Sequence, residues 1–170
     1  VGAETPKDVI ATAYFAHSTK LLAEMAEAVG RRQDAAKYRA LADSIKRAFN
    51  QAYVAQDSKI KGDTQTAYLM ALGFDLLPGS LRAAAGKRLV ELIEASNRHL
   101  STGFLGVNLL LPTLTGINRT DISYCLLQNK TFPSWGYPVV HGATTIWERW
   151  DGWTVEKGFQ DPGMNSFNHY

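Results

Sequence analysis

Asp63-Thr64-Gln65-Thr66-Ala67-Tyr68-Leu69-Met70-Ala71-Leu72-Gly73-Phe74-Asp75-Leu76-Leu77-Pro78-Gly79-Ser80 decides the fold class. Asp63 has the side chain of an N-cap, and the helix it would open, 64–77, is apolar on nearly every side: Ala67, Tyr68, Leu69, Met70, Ala71, Leu72 and Phe74. A helix that is apolar all round belongs inside. Pro78-Gly79 breaks it, and Ser80 opens another helix, through Leu89, Leu92 and Ile93, with a charged face of Arg82, Lys87, Arg88, Glu91 and Glu94. An outer helix covering an inner one is the unit of an all-helical, layered domain.

The same unit recurs on both sides. Upstream, Thr5-Pro6-Lys7-Asp8 reads as a helix start, with proline accepted in the first turn. Ile10, Tyr14, His17, Leu21, Met25 and Ala28 then recur at three- and four-residue steps before Gly30 stops the run. A second run begins near Asp34, with Tyr38, Leu41, Ala42, Ile45, Phe49 and Ala52 on one face. The short connection predicts an antiparallel hairpin. Downstream, 107–114 is apolar on all sides and 120–128 is amphipathic. Strand signal is thin: only Tyr137-Pro138-Val139-Val140 and Thr144-Thr145-Ile146 invite it, and both sit beside Pro or Gly. The chain reads as three helical hairpins followed by an aromatic segment of about thirty residues with little regular structure, the kind of segment that usually serves a site.

Composition narrows the function. The 170 residues are 45% hydrophobic and 20% charged, enough apolar material for a real core. Net charge is +2 and no basic run exceeds a pair (Arg31-Arg32, Lys87-Arg88), so nucleic acid is not an expected partner. No apolar run approaches the roughly 20 residues of a membrane span. Cys125 is the single cysteine, so no internal disulfide forms and the redox compartment stays open; cytoplasm and periplasm both fit. Val1 stands where an initiator Met would, and Ser166 reads as a helix N-cap just before the last residues, so a piece of a longer polypeptide is expected.

All four tryptophans fall at positions 135, 147, 150 and 153, and Glu148 stands between two of them in Thr145-Ile146-Trp147-Glu148-Arg149-Trp150. Indole faces stack on the C–H faces of sugars, and a carboxylate among them suits acid or base work on a glycosidic bond. The bland alternative pairs Glu148 with Arg149 or another cation as a structural ion pair. A two-carboxylate glycosidase needs a second acid, roughly 6.5–9.5 Å away for inversion or about 5–5.5 Å for retention. Asp151 and Glu156 are the nearest in sequence, and neither is convincing: Asp151 would share a face with Glu148 only on a helix, which Gly152 opposes.

Trp135 lies in the turn-rich Pro133-Ser134-Trp135-Gly136-Tyr137-Pro138 and suits a sugar platform. Trp147 and Trp150 divide between lining a pocket and bracing the loop, and Phe104 in Ser101-Thr102-Gly103-Phe104-Leu105-Gly106 is a weaker case like Trp135. His17, on the apolar face of the first helix, reads as a core histidine, whereas His169 has a donor for a sugar hydroxyl. His17, His99, His141 and His169 form no HxxxH or HExxH pair, so no metal site is expected. Gly103 and Gly106 lack the dinucleotide spacing, Gly-x-Ser-x-Gly is absent, and Cys125 lies in an apolar helical stretch as packing.

The segments 63–68, 99–106, 133–138, 142–152 and 166–170, in this order, resemble the catalytic domain of bacterial α-L-rhamnosidases, inverting enzymes built on an α/α barrel of six hairpins. The resemblance covers essentially the whole chain. It implies an all-α fold in which 1–170 is a single incomplete domain, the C-terminal half of the barrel, with no internal boundary and with one flank exposing apolar helices. It implies Glu148 as the general base that activates water, and His169 as a contact to rhamnose. Trp135 and Phe104 match aromatic positions at the barrel mouth. The family's general acid is a glutamate N-terminal to this region, and Glu4 lacks its aromatic context, so the acid is expected outside the chain. The implied substrate is a rhamnose-containing glycoside or polysaccharide, with no cofactor. Another α/α-barrel glycosidase of different sugar specificity and a non-catalytic carbohydrate-binding protein are the alternatives.

Overall fold

The computed structural model describes residues 4–163 and 165–169. They are helical to residue 140, with one short β-hairpin near the end: α1 Lys7–Ala28, α2 Arg32–Tyr53, α3 Gln65–Gly73, α4 Gly79–Ala95, α5 Phe104–Gly116, α6 Thr120–Gln128, α7 Gly136–Val140, β1 Trp153–Thr154 and β2 Gly158–Phe159. The chain groups into two compact units, Glu4–Leu89 and the residues from Val90 onward.

In the first unit α1 and α2 form the expected hairpin. Gly30, at φ +77°, makes the turn, with the Arg31 N–H on the Ala26 carbonyl (2.8 Å) and the Gly30 N–H on that of Glu27 (3.0 Å). Only glycine takes this left-handed position without strain. The buried stripe of α1 is displaced from the one the sequence suggested. Val9, Ala13, Ala16, Ala23 and Ala26 are buried, whereas Leu21, Met25 and Ala28 are exposed. Alanines allow close backbone approach to α2, so the small residues win the interface over the larger ones. α2 buries Ala35, Ala42, Ile45 and Phe49, four positions spaced as an amphipathic helix requires. Phe15, Leu21, Leu22, Met25 and Leu41 remain on the outside of this hairpin, 40–58% exposed.

α3 is the inner helix: every residue from Gln65 to Leu72 is buried. Its cap is Thr64, one residue later than predicted, whose Oγ1 accepts the Ala67 N–H at 3.2 Å. Asp63 instead sits at φ +46°, accepting the Tyr68 hydroxyl (2.7 Å) and the Arg88 guanidinium (2.6 Å). The burial that desolvates Tyr68, and the Asp63 carboxylate beside it, push its phenol up to about 12; Arg88 and Tyr68 hold Asp63 below the usual carboxylate range. The helix stops four residues early, because Asp75 turns left-handed (φ +57°) and the Leu76 N–H returns to the Ala71 carbonyl. Arg88 late in α4 reaches the start of α3, while Arg82 near its beginning donates to the Leu72 carbonyl, so the two helices run antiparallel.

In the second unit α5 and α6 form a hairpin, with the Ser123 hydroxyl on the Leu111 carbonyl at 3.1 Å. α6 has the boundaries the amphipathic pattern gave. α5 buries one face only (Gly106, Leu110, Thr113, Leu114) rather than all sides. The suggested strand at 137–140 is helix α7, at whose start the Tyr137 N–H donates to the Ser134 Oγ at 3.0 Å, and 144–146 is irregular. The actual strands, Trp153–Thr154 and Gly158–Phe159, are too short for any alternation to announce them.

Candidate active site

The segment holding Glu148 is hydrogen-bonded to the segment that carries residues 165–169. The Glu148 N–H donates to the Ser166 carbonyl (2.9 Å), and the Ser166 N–H returns to the Glu148 Oε2 (2.8 Å). Further along the same two segments, the His169 N–H donates to the Ile146 carbonyl at 2.9 Å, and the Thr145 hydroxyl donates to the Phe167 carbonyl. Glu148 and His169 are thereby brought onto neighbouring chains by backbone pairing that no side-chain pattern signals. Ser166 accepts the Asn168 N–H on its Oγ (3.3 Å), the bond of a serine turn, and no helix forms over 165–169. Tyr170, the last residue of the aromatic run, lies outside the described residues.

The bland ion pair does not form. Arg149 turns to Asp151 (Nε–Oδ1 3.1 Å) and to Asp161 (2.6 Å), and Glu148 has no ion pair among the described residues. Arg149 holds the Asp151 carboxyl below its usual range, so Asp151 is a charged structural partner and not a proton donor. Glu148 itself is exposed rather than enclosed by indoles.

The rings around it form a brace. Phe159, Phe167, Trp147, Trp153, His141, Tyr137 and Phe132 make a continuous run of ring contacts with centroids 4.5–6.3 Å apart, mostly edge to face. Trp147 sits mid-run against Trp153 and Phe167 and is half-buried. Trp135 meets Trp150 edge to face at 5.5 Å, and the Trp150 indole N–H donates to the Thr102 carbonyl at 2.7 Å. That bond resolves Trp150 as a brace, and ties the aromatic loop to the residues just before Phe104. Phe104 opens α5 with its side chain 77% exposed. Gly152 leaves room for Asn165: a Cβ there would lie 2.6 Å from the Asn165 amide nitrogen and would force that side chain to shift. His17 lies in the other unit, half-buried and stacked on Phe74 at 4.1 Å. Sequence reasoning missed Asp161 and Asn165, which have no motif and act through the return of the chain.

A cleft of about 270 Å³ lies in the first unit, lined by Ala16, Ala42 and Phe74 with Lys20, Lys46 and Asp75. It holds none of the tryptophans and is not the site. Among the described residues no group of three His, Cys, Asp or Glu side chains could hold a metal ion, and no helix is long and apolar enough to cross a membrane.

Paired helices and an aromatic loop bearing one unpaired carboxylate are the features of a helical-hairpin glycosidase domain. Residues 1–170 match the model of the bacterial α-L-rhamnosidase six-hairpin glycosidase domain, and the chain belongs to that family. It is 59% identical over its whole length to an α-L-rhamnosidase of Streptomyces avermitilis, of which it spans 16%, and 45% identical over 98% of its length to one of Formosa agariphila, of which it spans 18%. The crystal structure of the Streptomyces avermitilis enzyme complexed with L-rhamnose superposes with a TM-score of 0.95, again over the whole chain and 16% of that protein. That of the native Aspergillus terreus α-L-rhamnosidase superposes at 0.92, with 36% identity, over 98% of this chain and 19% of its own. The chain therefore carries part of the helical hairpins of an α/α six-hairpin domain and spans under a fifth of these relatives.

Proposed function

We propose that the protein containing this chain hydrolyses terminal α-L-rhamnosyl residues with inversion, and that Glu148 is its general base. On this reading 1–170 is one incomplete domain, the C-terminal half of the barrel, and the chain alone is inactive. Glu148 takes a proton from water as the water oxygen bonds to the anomeric carbon on the face opposite the leaving group. The glycosidic C–O bond breaks, and a carboxylic acid from elsewhere in the protein protonates the departing oxygen. The observation that carries the reading is the state of Glu148. It is exposed, oriented by a single backbone N–H, and left uncompensated while the adjacent arginine is occupied by two aspartates. A base needs a lone pair free for water, and a carboxylate oxygen accepting one N–H keeps others available. His169, Trp135, Trp147 and Phe104 are assigned to the sugar: the first as a hydrogen-bonding group, the others as apolar surface.

The test is Glu148→Gln in the full-length protein with a nitrophenyl α-L-rhamnoside. Turnover falls by about 10²–10⁴-fold while L-rhamnose binding is kept. Unchanged turnover removes Glu148 from the mechanism. Proton NMR of the first sugar released by the unmodified enzyme reads the stereochemistry, and an α-anomer would contradict inversion.

A further inference from the structure

We propose that Arg149 is a positioning residue for Glu148, acting by clipping the outgoing and returning limbs of the aromatic loop together. This rests on Glu148 being the base. The guanidinium donates to Asp151 from Nε (3.1 Å) and Nη2 (3.3 Å) and to Asp161 from Nη1 (2.6 Å). Asp151 lies on the limb that carries Glu148, and Asp161 on the limb that returns. A planar guanidinium has its donors in a fixed fork, so satisfying both carboxylates fixes the direction in which the limbs approach each other.

From Asp161 the returning limb leads to the atom that orients the base. The Gln160 N–H donates to the Gly152 carbonyl (2.8 Å), and the Asn165 amide donates to the Gln160 carbonyl (3.2 Å). Asn165 packs on the bare Cα of Gly152, and the next residue, Ser166, gives its N–H to the Glu148 Oε2. The Ser166 N–H is thus set by the returning limb, and the ionic tie at its start is Arg149 with Asp161. Exposed ion pairs contribute little stability one by one. Their contribution here is geometric: a base displaced by an ångström costs rate and not affinity.

The experiment uses the full-length enzyme with Arg149→Met, Arg149→Lys and Glu148→Ala, alone and as the double variant Glu148→Ala with Arg149→Met. Arg149→Met lowers kcat on the order of 10²-fold with KM within about threefold, and Arg149→Lys recovers part of the loss. In the Glu148→Ala enzyme, azide replaces water. Its nitrogen bonds to the anomeric carbon, the aglycone oxygen leaves with a proton from the enzyme's acid, and no base is needed. Adding Arg149→Met to Glu148→Ala then leaves azide-supported turnover unchanged, since no carboxylate remains to be positioned. An Arg149→Met enzyme with normal kcat overturns the inference, as does equal loss of the azide-supported and water-supported rates, which would mark a merely structural clip. Full water-supported turnover in Glu148→Ala alone strikes instead at the assignment of the base.

Discussion

Two regions of this chain are held together by opposite means. In 4–89 the work is done by burial: alanines seam α1 to α2, and α3 is enclosed on every side. In 131–169 few side chains are fully buried, and the chain is held by backbone pairing, one arginine between two aspartates, and rings meeting edge to face. The first region tolerates approximate contacts, because apolar packing is non-directional. The second does not, because hydrogen bonds and ring contacts are directional and each has one partner. Stability and the site's geometry are therefore separable here, and mutations should separate them.

The sharpest way to break the contrast is Phe49→Ala, which empties a fully buried position in α2. We expect about 3–5 kcal/mol lost in chemical denaturation of the full-length protein, with KM and kcat of the folded enzyme kept. Next, Gly152→Ala forces the Asn165 side chain aside. It should lower kcat on the order of tenfold, with a change in denaturation midpoint well short of that of Phe49→Ala. If both variants lose stability and rate in the same proportion, the two regions are not distinct in this sense.

Tyr68→Phe probes polar order inside the buried region. The hydroxyl donates to Asp63 and accepts the N–H of buried Ile60 (3.3 Å), so its removal leaves that N–H unpaired at a cost of about 1–2 kcal/mol, measured by the same denaturation. Smallest is a pH effect at His17. Burial first, and then the charge of Lys20, holds its imidazole below the ordinary 6.5. The unfolded chain binds that proton more tightly, so this contribution is complete above pH 6.5 and is lost as pH falls through the folded-state value. His17→Phe keeps a ring against Phe74 and should narrow the difference in denaturation midpoint between about pH 7.5 and about pH 5.

The same division explains what was legible in the residues. Helix periodicity placed α6 and the Ala42, Ile45 and Phe49 stripe of α2, while Leu41 and Ala52, expected on that stripe, are exposed. It misplaced the buried stripe of α1, since a pattern weighted by side-chain size follows Leu21 and Met25 while close packing selects Ala23 and Ala26. The left-handed turn at Asp75 shortened α3 where the residues themselves would continue. At the site, Glu148 and the tryptophans stood out by type and crowding. Ser166, Asp161 and Asn165 did not, because their roles come from main-chain groups and from limbs that meet only after the loop has closed. The Ser166 hydroxyl makes the local bond of a cap, and the residues described after it are too few to hold a helix.

The bond from the Trp150 indole to the Thr102 carbonyl joins groups 48 positions apart, whereas the bonds of each helix join groups four apart. A contact so distant along the chain gains nothing until the intervening stretch has found its place, and closing such a span is slow compared with winding a helix. On a nascent polypeptide the helices can therefore mature while the aromatic loop is still unset. On the proposed function, the ability to split a glycoside would then be the last property acquired, and a refolding experiment on the full-length protein timed by hydrolysis should lag one timed by circular dichroism.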